Sequence, residues 1–321
     1  MNTQFAPSSL PKRTTLTPSQ AMELGDRMGA SDKEDGYFAM AAATADSHFA
    51  EDSIRLGDRI GASDLEDGLF AVSAAIAGPQ HAENAIRLGD RLGASDLEDG
   101  LFALAAAVAG PENAESAIRM GDRIGSSDKE DGLFAMAAAI AGPENAEAAI
   151  RKGDRLGSSD LEDGLFALAA AVAGPQFADG AIQMGDRSGS GEVEDGLFAI
   201  AAALAGPDFA QTAINLGDRK GASSYEDGHF AMAAALAGPT FADQAISLGD
   251  RLGASEKEDS DFAIAAGLAG PSQAEEIIRT ADRKGASDLE DGFFALAGAL
   301  TFNPQHAALM AAIKAALPKN K

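Results

Sequence analysis

The chain contains no cysteine and no tryptophan, and it has only two tyrosines and four histidines among 321 residues. The absence of cysteine excludes disulfide bonds and thiolate metal sites, and it means that cysteine usage does not indicate the redox compartment of the protein. The histidines are scattered and have no recurring partner, so histidine-based catalysis has little support. They are His48, His81, His229 and His306.

Basic residues are scarce as well, because 25 lysines and arginines face 50 aspartates and glutamates, for a formal net charge of −25. This sign argues against binding to nucleic acids and to anionic membranes. It favours a basic protein or peptide as partner, through steering more than through affinity. The alternative is that the acidity only keeps an alanine-rich chain soluble.

No apolar run reaches membrane-spanning length, and no hydrophobic segment near the start follows a charged one as in a secretory signal peptide. We therefore predict a protein that is cytoplasmic or is exported without a cleavable Sec signal. Residues 1–16 form a polar leader with several serines and threonines. This leader is similar to those of bacterial type III secreted effectors, which act in a host cell.

What the chain does contain is a repeat of 32 residues, marked by an Asp-Arg pair with no insertion between its copies. A fixed period of this length indicates stacked structural units. The aspartates of the pairs are Asp26, Asp58, Asp90, Asp122, Asp154, Asp186, Asp218, Asp250 and Asp282.

Each copy contains the signals of two helices, which we call A and B. In the fourth copy, Ser127 followed three residues later by Glu130 is a capping box, which predicts helix A from Asp128 to Ala141. Gly142-Pro143 then predicts a tight turn into helix B, which is expected to run from Pro143 to Arg155 and to end near Gly157. No segment alternates with period two, so no sheet is predicted.

The two helices differ in their apolar pattern. Helix A is apolar almost all round after its first turn, which is typical of a helix buried between neighbours. Helix B is amphipathic and has one solvated side. We therefore predict an all-α fold, an α-α solenoid or superhelix of nine 32-residue helix-turn-helix repeats with terminal capping helices. Stacking at about 8–10 Å per helix would give an elongated rod roughly 80 Å along its path.

The repeat resembles the tetratricopeptide repeat. Met120-Gly121 stands at the Leu-Gly position of that family, Gly132 and Ala139 at its small positions, and Pro143 at its closing proline. The resemblance extends from about Thr17 to Ala316, although the period is 32 rather than 34 and the family's aromatic positions are absent. HEAT-like repeats are the rival resemblance. The tetratricopeptide resemblance implies a right-handed superhelix that binds peptides or proteins on its surface, and it implies no enzymatic activity.

The chain is expected to form one α-solenoid domain over residues 17–316, between the leader at 1–16 and a basic tail at 317–321. Thr17-Pro18 opens a first capping helix, and a last capping helix runs from Pro304 to Ala316. With the A and B helices between them, the prediction is 19 helices.

The repeated aspartates have two interpretations. They line a groove that binds a basic partner, or each pairs with the arginine of the next copy and fixes the register of the helices. An exposed pair of that kind would contribute only ~0–1 kcal/mol. The predicted binding residues of this set are Asp58, Asp90, Asp122, Asp154 and Asp186.

Two positions of helix A vary from copy to copy, although most of the repeat is constant. They lie four residues apart, on one face of the helix. In the middle copies both are mostly leucine, which predicts a partly exposed apolar strip that binds a partner. The alternative is packing between repeats, with lysines reaching outward. The strip consists of Leu65, Leu69, Leu97, Leu101, Leu133, Leu161, Leu165 and Leu197.

Catalytic and metal motifs are missing. The cluster Asp128-Lys129-Glu130-Asp131-Gly132 gathers carboxylates but lacks the ligand spacing of an EF-hand. The glycine-rich turns lack the lysine of a phosphate-binding loop. Ser260 and Asp261, which break the repeat pattern, are interpreted as drift. We predict no catalytic residues, no metal site and no cofactor.

The sequence thus predicts a non-enzymatic scaffold for protein–protein interactions that presents an extended acidic and partly apolar surface. Its expected partner is a basic protein or peptide, and self-association is a further expectation. Two alternatives remain, an acidic calcium-binding repeat protein and a structural, self-assembling rod.

Overall fold

A computed structural model describes residues 16–27, 30–59, 63–91, 95–123, 127–155, 158–187, 191–218, 223–250, 255–282 and 287–317. The predicted leader, apart from its last residue, and the predicted basic tail, apart from Leu317, lie outside these ranges. The described residues are all-helical without strands, and form nineteen α-helices that repeat with the 32-residue period.

The even-numbered helices are the A helices, one for each copy. They are α2 (Asp32–Thr44), α4 (Asp64–Ala77), α6 (Asp96–Ala109), α8 (Asp128–Ala141), α10 (Asp160–Ala173), α12 (Glu192–Ala205), α14 (Ser224–Ala237), α16 (Glu256–Ala269) and α18 (Asp288–Leu300). The odd-numbered helices up to α17 are the B helices. They are α1 (Pro18–Gly25), α3 (Ala50–Gly57), α5 (Ala82–Gly89), α7 (Ala114–Gly121), α9 (Ala146–Gly153), α11 (Ala178–Gly185), α13 (Ala210–Gly217), α15 (Ala242–Gly249) and α17 (Ala274–Ala281). The last helix is α19 (Ala307–Ala316).

The predicted bounds of helix A are confirmed. The hydroxyl of Ser127 accepts a hydrogen bond from the backbone N–H of Glu130 at 3.4 Å, which caps the start of α8. Gly142 ends the helix at a φ of 74°, a conformation that glycine adopts without strain. The A helices are buried on all sides, since residues such as Phe102 and Leu104 have no exposed surface.

The B helices are shorter than predicted. Helix α9 begins at Ala146 rather than Pro143, because Pro143 lies in a turn that the N–H of Asn145 closes by donating to the carbonyl of Gly142 at 3.0 Å. It ends at Gly153, since Asp154 has an extended backbone with ψ of 95°.

The α-solenoid class is confirmed, but the expected elongated rod is wrong because the stack of A helices closes on itself. Helix α18 packs against α2 as each A helix packs against the next. At this closure the hydroxyl of Ser287 donates to Asp32 at 2.6 Å, and the rings of Tyr37 and Phe293 meet edge to face at 5.1 Å between centroids. A small rotation from each copy to the next accumulates into a full turn.

Closure also changes the roles of the two terminal helices, which do not cap open ends. Helix α1 packs against α2, α17 and α18, so it takes the place of the B helix that follows α18. Helix α19 leaves the repeat pattern and lies inside the ring, where it contacts α2, α4, α6 and α8. The ring therefore has a central lumen that its own C-terminal helix partly fills.

Glycine allows neighbouring A helices to approach closely at each junction. The Cδ1 atom of Leu69 lies only 2.5 Å from where a Cβ atom on Gly100 would stand. Gly132 receives Leu101 in the same way, and at the ring closure Gly36 receives Phe293. A larger residue at these positions would push the copies apart.

Candidate functional site

The A helices all begin on one face of the ring, which we call the N-terminal face, and end on the opposite, C-terminal face. Ser31, Ser63 and Ser95, which cap three different A helices, lie around one cavity at the N-terminal face. Helix α19 runs antiparallel to the A helices, since Leu317 lies at this cavity and Ala308 lies at a cavity of the other face.

The repeated Asp-Arg pairs form a ladder around the ring. The Arg91 guanidinium donates to Asp122 of the next copy at 2.7 Å, and the equivalent pairs span 2.7–3.6 Å in the described residues. The pairs join neighbouring copies, as the structural interpretation requires. However, each arginine pairs with the aspartate of the following copy, whereas the prediction paired each aspartate with the arginine of the following copy. The side chains of the predicted binding aspartates remain between 41% and 51% exposed.

Each arginine of the described ladder is held by two further contacts. The guanidinium of Arg91 lies over the ring of Phe102 at 5.4 Å, and its backbone N–H donates to Asp99 at 3.1 Å. Such a cation–π contact stabilises the guanidinium while its edge faces the carboxylate. The ladder therefore joins neighbouring copies within the described residues, and its side chains stay partly exposed.

At successive junctions, a ladder aspartate meets two further carboxylates, and we call each group of three a carboxylate triad. In a triad, one oxygen of each residue lies within 4.8 Å of the others. Three of the triads are Glu66–Asp90–Asp99, Glu98–Asp122–Asp131 and Glu130–Asp154–Asp163.

The triads hold negative charge that their surroundings do not favour. Burial raises the pKa of Glu98 to about 6, and Asp128 and Asp131 of the next copy add to this shift. Burial likewise raises the pKa of Glu130 to about 7 and that of Asp35 to about 6. A cation at this face would relieve the repulsion.

We expect the free energy of unfolding to rise as the pH falls from about 8 to about 6. The carboxyls of Glu98 and Glu130 have higher pKa values in the folded state, so their contribution is complete below their unfolded pKa and is lost as the pH rises through about 6–7. His229 and His306 act in the opposite sense below about 6.5, because burial lowers their pKa values to about 3 and about 4. Thermal melts across this range should show a maximum near pH 6.

A control variant separates the triads from other acids. Glu130→Gln should flatten the rise between about pH 8 and about pH 6, whereas Glu112→Gln, an exposed acid on the other face, should not. A midpoint that is constant or highest at about pH 8 would contradict the expectation.

The predicted apolar strip is only partly at the surface. Five of its leucines have no exposed surface and pack against the glycine of the next copy, so the expectation that they are exposed is wrong. These five are Leu69, Leu101, Leu133, Leu165 and Leu197. The remaining members, Leu65, Leu97 and Leu161, are half-buried at the N-terminal face.

The lumen contains an ion pair that sequence reasoning missed. The Lys314 ammonium of α19 donates to both oxygens of Asp261 on α16, at 2.7 and 2.8 Å, and lies 5.0 Å from the centre of the Phe293 ring. Burial would lower the pKa of Lys314, but the Asp261 carboxylate raises it above its ordinary value. Asp261 is therefore the docking partner of α19 and not drift.

Further breaks of the repeat pattern gather around this pair. The hydroxyl of Tyr225 accepts a hydrogen bond from Lys314 at 3.5 Å, and the Nδ1 atom of His229 donates to the Tyr225 carbonyl at 2.7 Å. Among the described residues, the Tyr37 hydroxyl, the His229 Nε2 atom and the Ser260 hydroxyl are buried without a hydrogen-bond partner. The sequence signal for this cluster was that the breaks fall in copies 7, 8 and 1. Copy 1 comes close to copies 7 and 8 only when the ring closes.

These features define an all-α repeat protein whose copies close into a ring around its C-terminal helix. No family model matches the chain, and no curated protein or solved structure matches it. Within the described ranges, no helix has the length and apolar character needed to cross a bilayer.

Proposed function

We propose that the protein is a non-enzymatic scaffold whose N-terminal face binds a basic protein or peptide. The observation that carries this proposal is the series of carboxylate triads on that face, in which burial and neighbouring carboxylates raise the pKa values of Glu98 and Glu130. Cationic side chains placed over the triads would lower the repulsion. The net charge of −25 would steer a basic partner toward the protein.

The exposed parts of the predicted site agree with this use of the face. Asp90, Asp122 and Asp154, which belong to both the ladder and the triads, have partly exposed side chains, and Leu65 and Leu97 offer half-buried apolar surface nearer the lumen. The resemblance of the repeat to the tetratricopeptide repeat supports the same proposal, since proteins of that family bind peptides. We carry over only the mode of binding and no particular partner.

Binding of a labelled peptide of alternating lysine and serine, measured by fluorescence anisotropy, tests the proposal. The paired variant Glu66→Gln/Glu98→Gln should weaken binding about five-fold, because it removes triad charge while the backbone N–H groups of both residues still bond the capping serines. Raising the salt concentration should weaken binding by the wild-type protein as well.

The matched control is Glu112→Gln/Glu144→Gln, which removes the same charge from exposed turns at the C-terminal face. This control should change the affinity less than about two-fold. Equal losses in the two paired variants would show that net charge alone attracts the peptide, and the proposed face would be wrong.

Calcium binding is a second candidate, because each triad brings three carboxylates close together and calcium prefers such oxygen ligands. In the triad of Glu98, the Asp122 carboxylate already pairs with Arg91, which lowers the charge available to an ion. Thermal melts with and without about 1 mM calcium test this candidate, with magnesium as the comparison. An unchanged midpoint would exclude a site whose occupancy stabilises the fold.

A further inference from the structure

A cavity of 550 Å³ opens on the C-terminal face, away from the triads. It lies beside α19 in the lumen, where Leu309 forms part of its wall, and it extends over the ends of α8 and α10 to Lys152 on α9. Its volume falls within the roughly 300–1,000 Å³ of small-molecule sites.

The position of the cavity follows from one position of helix A. The thirteenth residue of these helices is leucine in copies 6 to 9, but threonine, isoleucine or valine in copies 1 to 5. These five residues line the cavity and are Thr44, Ile76, Val108, Ile140 and Val172. Threonine and valine are smaller than leucine, which leaves space beside α19 at this half of the ring.

The equivalent clefts at neighbouring junctions show that this one is unusual. The cleft that Asn113 and Met120 line holds only 40 Å³, and the one beside His81 holds 70 Å³. At the larger cavity, Lys152 stands at the position of Met120. The Lys152 ammonium pairs with Asp179 of the next copy.

The walls indicate which chemistry the cavity accepts. Most of the lining is alanine, isoleucine, valine and leucine, which favours an apolar body. The polar lining residues include Asn145 and Gln305, whose amides bond donors and acceptors alike, although the Gln305 amide already donates to Asn303 at 3.0 Å. Lys152 is already paired and the net charge of −25 repels anions, whereas a cation would find Lys152 and no carboxylate among the described lining residues, so an uncharged head group fits best.

We propose that this cavity binds a small apolar molecule that carries one uncharged hydrogen-bonding group. Val108 and its equivalents contact the apolar body, and Asn145 bonds the head group. This site is separate from the proposed basic partner, because it lies on the opposite face of the ring.

The test uses the full chain and the fluorescent probe N-phenyl-1-naphthylamine, with 1-decanol as competitor. The probe should bind at one saturable site, and decanol should displace it at concentrations at least about ten-fold below those needed for decanoate or decyltrimethylammonium. Val108→Phe should weaken probe binding about ten-fold by filling the cavity. Leu204→Phe changes the same helical position in the other half of the ring and should leave binding unchanged.

A second pair of variants keeps the test decisive if Val108→Phe does not fold. Asn145→Ala should weaken the competition by decanol about five-fold, whereas Asn113→Ala, the equivalent change at the 40 Å³ cleft, should have no effect. Absence of saturable binding, equal effects of the two alanine variants, or stronger competition by decanoate would each overturn the proposal.

Discussion

Replacing Asp261 with leucine is expected to lower the free energy of unfolding by about 3–5 kcal/mol. Leucine is the residue at this helical position in copies 2 to 6, so it fits an A helix. The loss arises because the Lys314 ammonium, whose side chain is only 7% exposed, would remain in the lumen without its partner. Chemical denaturation followed by circular dichroism measures the change.

The double variant Asp261→Leu/Lys314→Met should recover stability to within about 1 kcal/mol of the wild type, because it removes both buried charges. Lys257→Met is the control, since Lys257 is half-buried one turn from Asp261 and should contribute less than about 1 kcal/mol. A stable single variant, or a double variant no better than the single one, would show that the ion pair does not hold α19 in the ring.

Removing residues 1–27 is expected to lower the melting temperature by about 10 °C, because α1 completes the ring from the other end of the chain. Met22 of α1 packs over Gly298 of α18, and Gly25 lies against the backbone of Ala39 on α2. Without α1, apolar surface of both helices would be exposed to water. Differential scanning calorimetry of the truncated chain measures the effect.

A synthetic peptide of residues 16–27 should restore much of the lost stability when added in excess, since it would occupy the vacant position. Removing residues 2–15 alone is the control, and this change should leave the melting temperature within about 2 °C of the full chain. An unchanged melting temperature after loss of α1 would contradict its role as the closing B helix.

The sequence predicted the local structure better than the closure. Ser127, Glu130 and Gly142 act within one helix, so the start and end of α8 could be read from them. The position of α9 was harder to predict, because Pro143 suits a turn as well as a first helical turn. For Leu101, the sequence left two interpretations open, an exposed strip or packing between repeats, and the structure shows that it packs against Gly132.

Closure depends on the rotation between successive copies, which the sequence of a single copy does not reveal. Nine copies make a ring when each turns by about 40° from the last, and slightly smaller steps would leave an open superhelix. The partnership of Lys314 with Asp261 was hidden for the same reason, since these residues meet only when α19 lies in the lumen. The pattern breaks at Tyr225, His229 and Asp261 were visible, but their shared location was not.

A closed ring constrains how the gene for this protein changes in length. In an open solenoid, duplication of one 32-residue unit merely lengthens the array. Here an added unit would widen the lumen. Helix α19 could then no longer pack against α4 and α6 and also bring Lys314 to Asp261. We therefore expect homologues that retain the C-terminal helix to keep the same number of units, and those that gain or lose units to have altered or lost it.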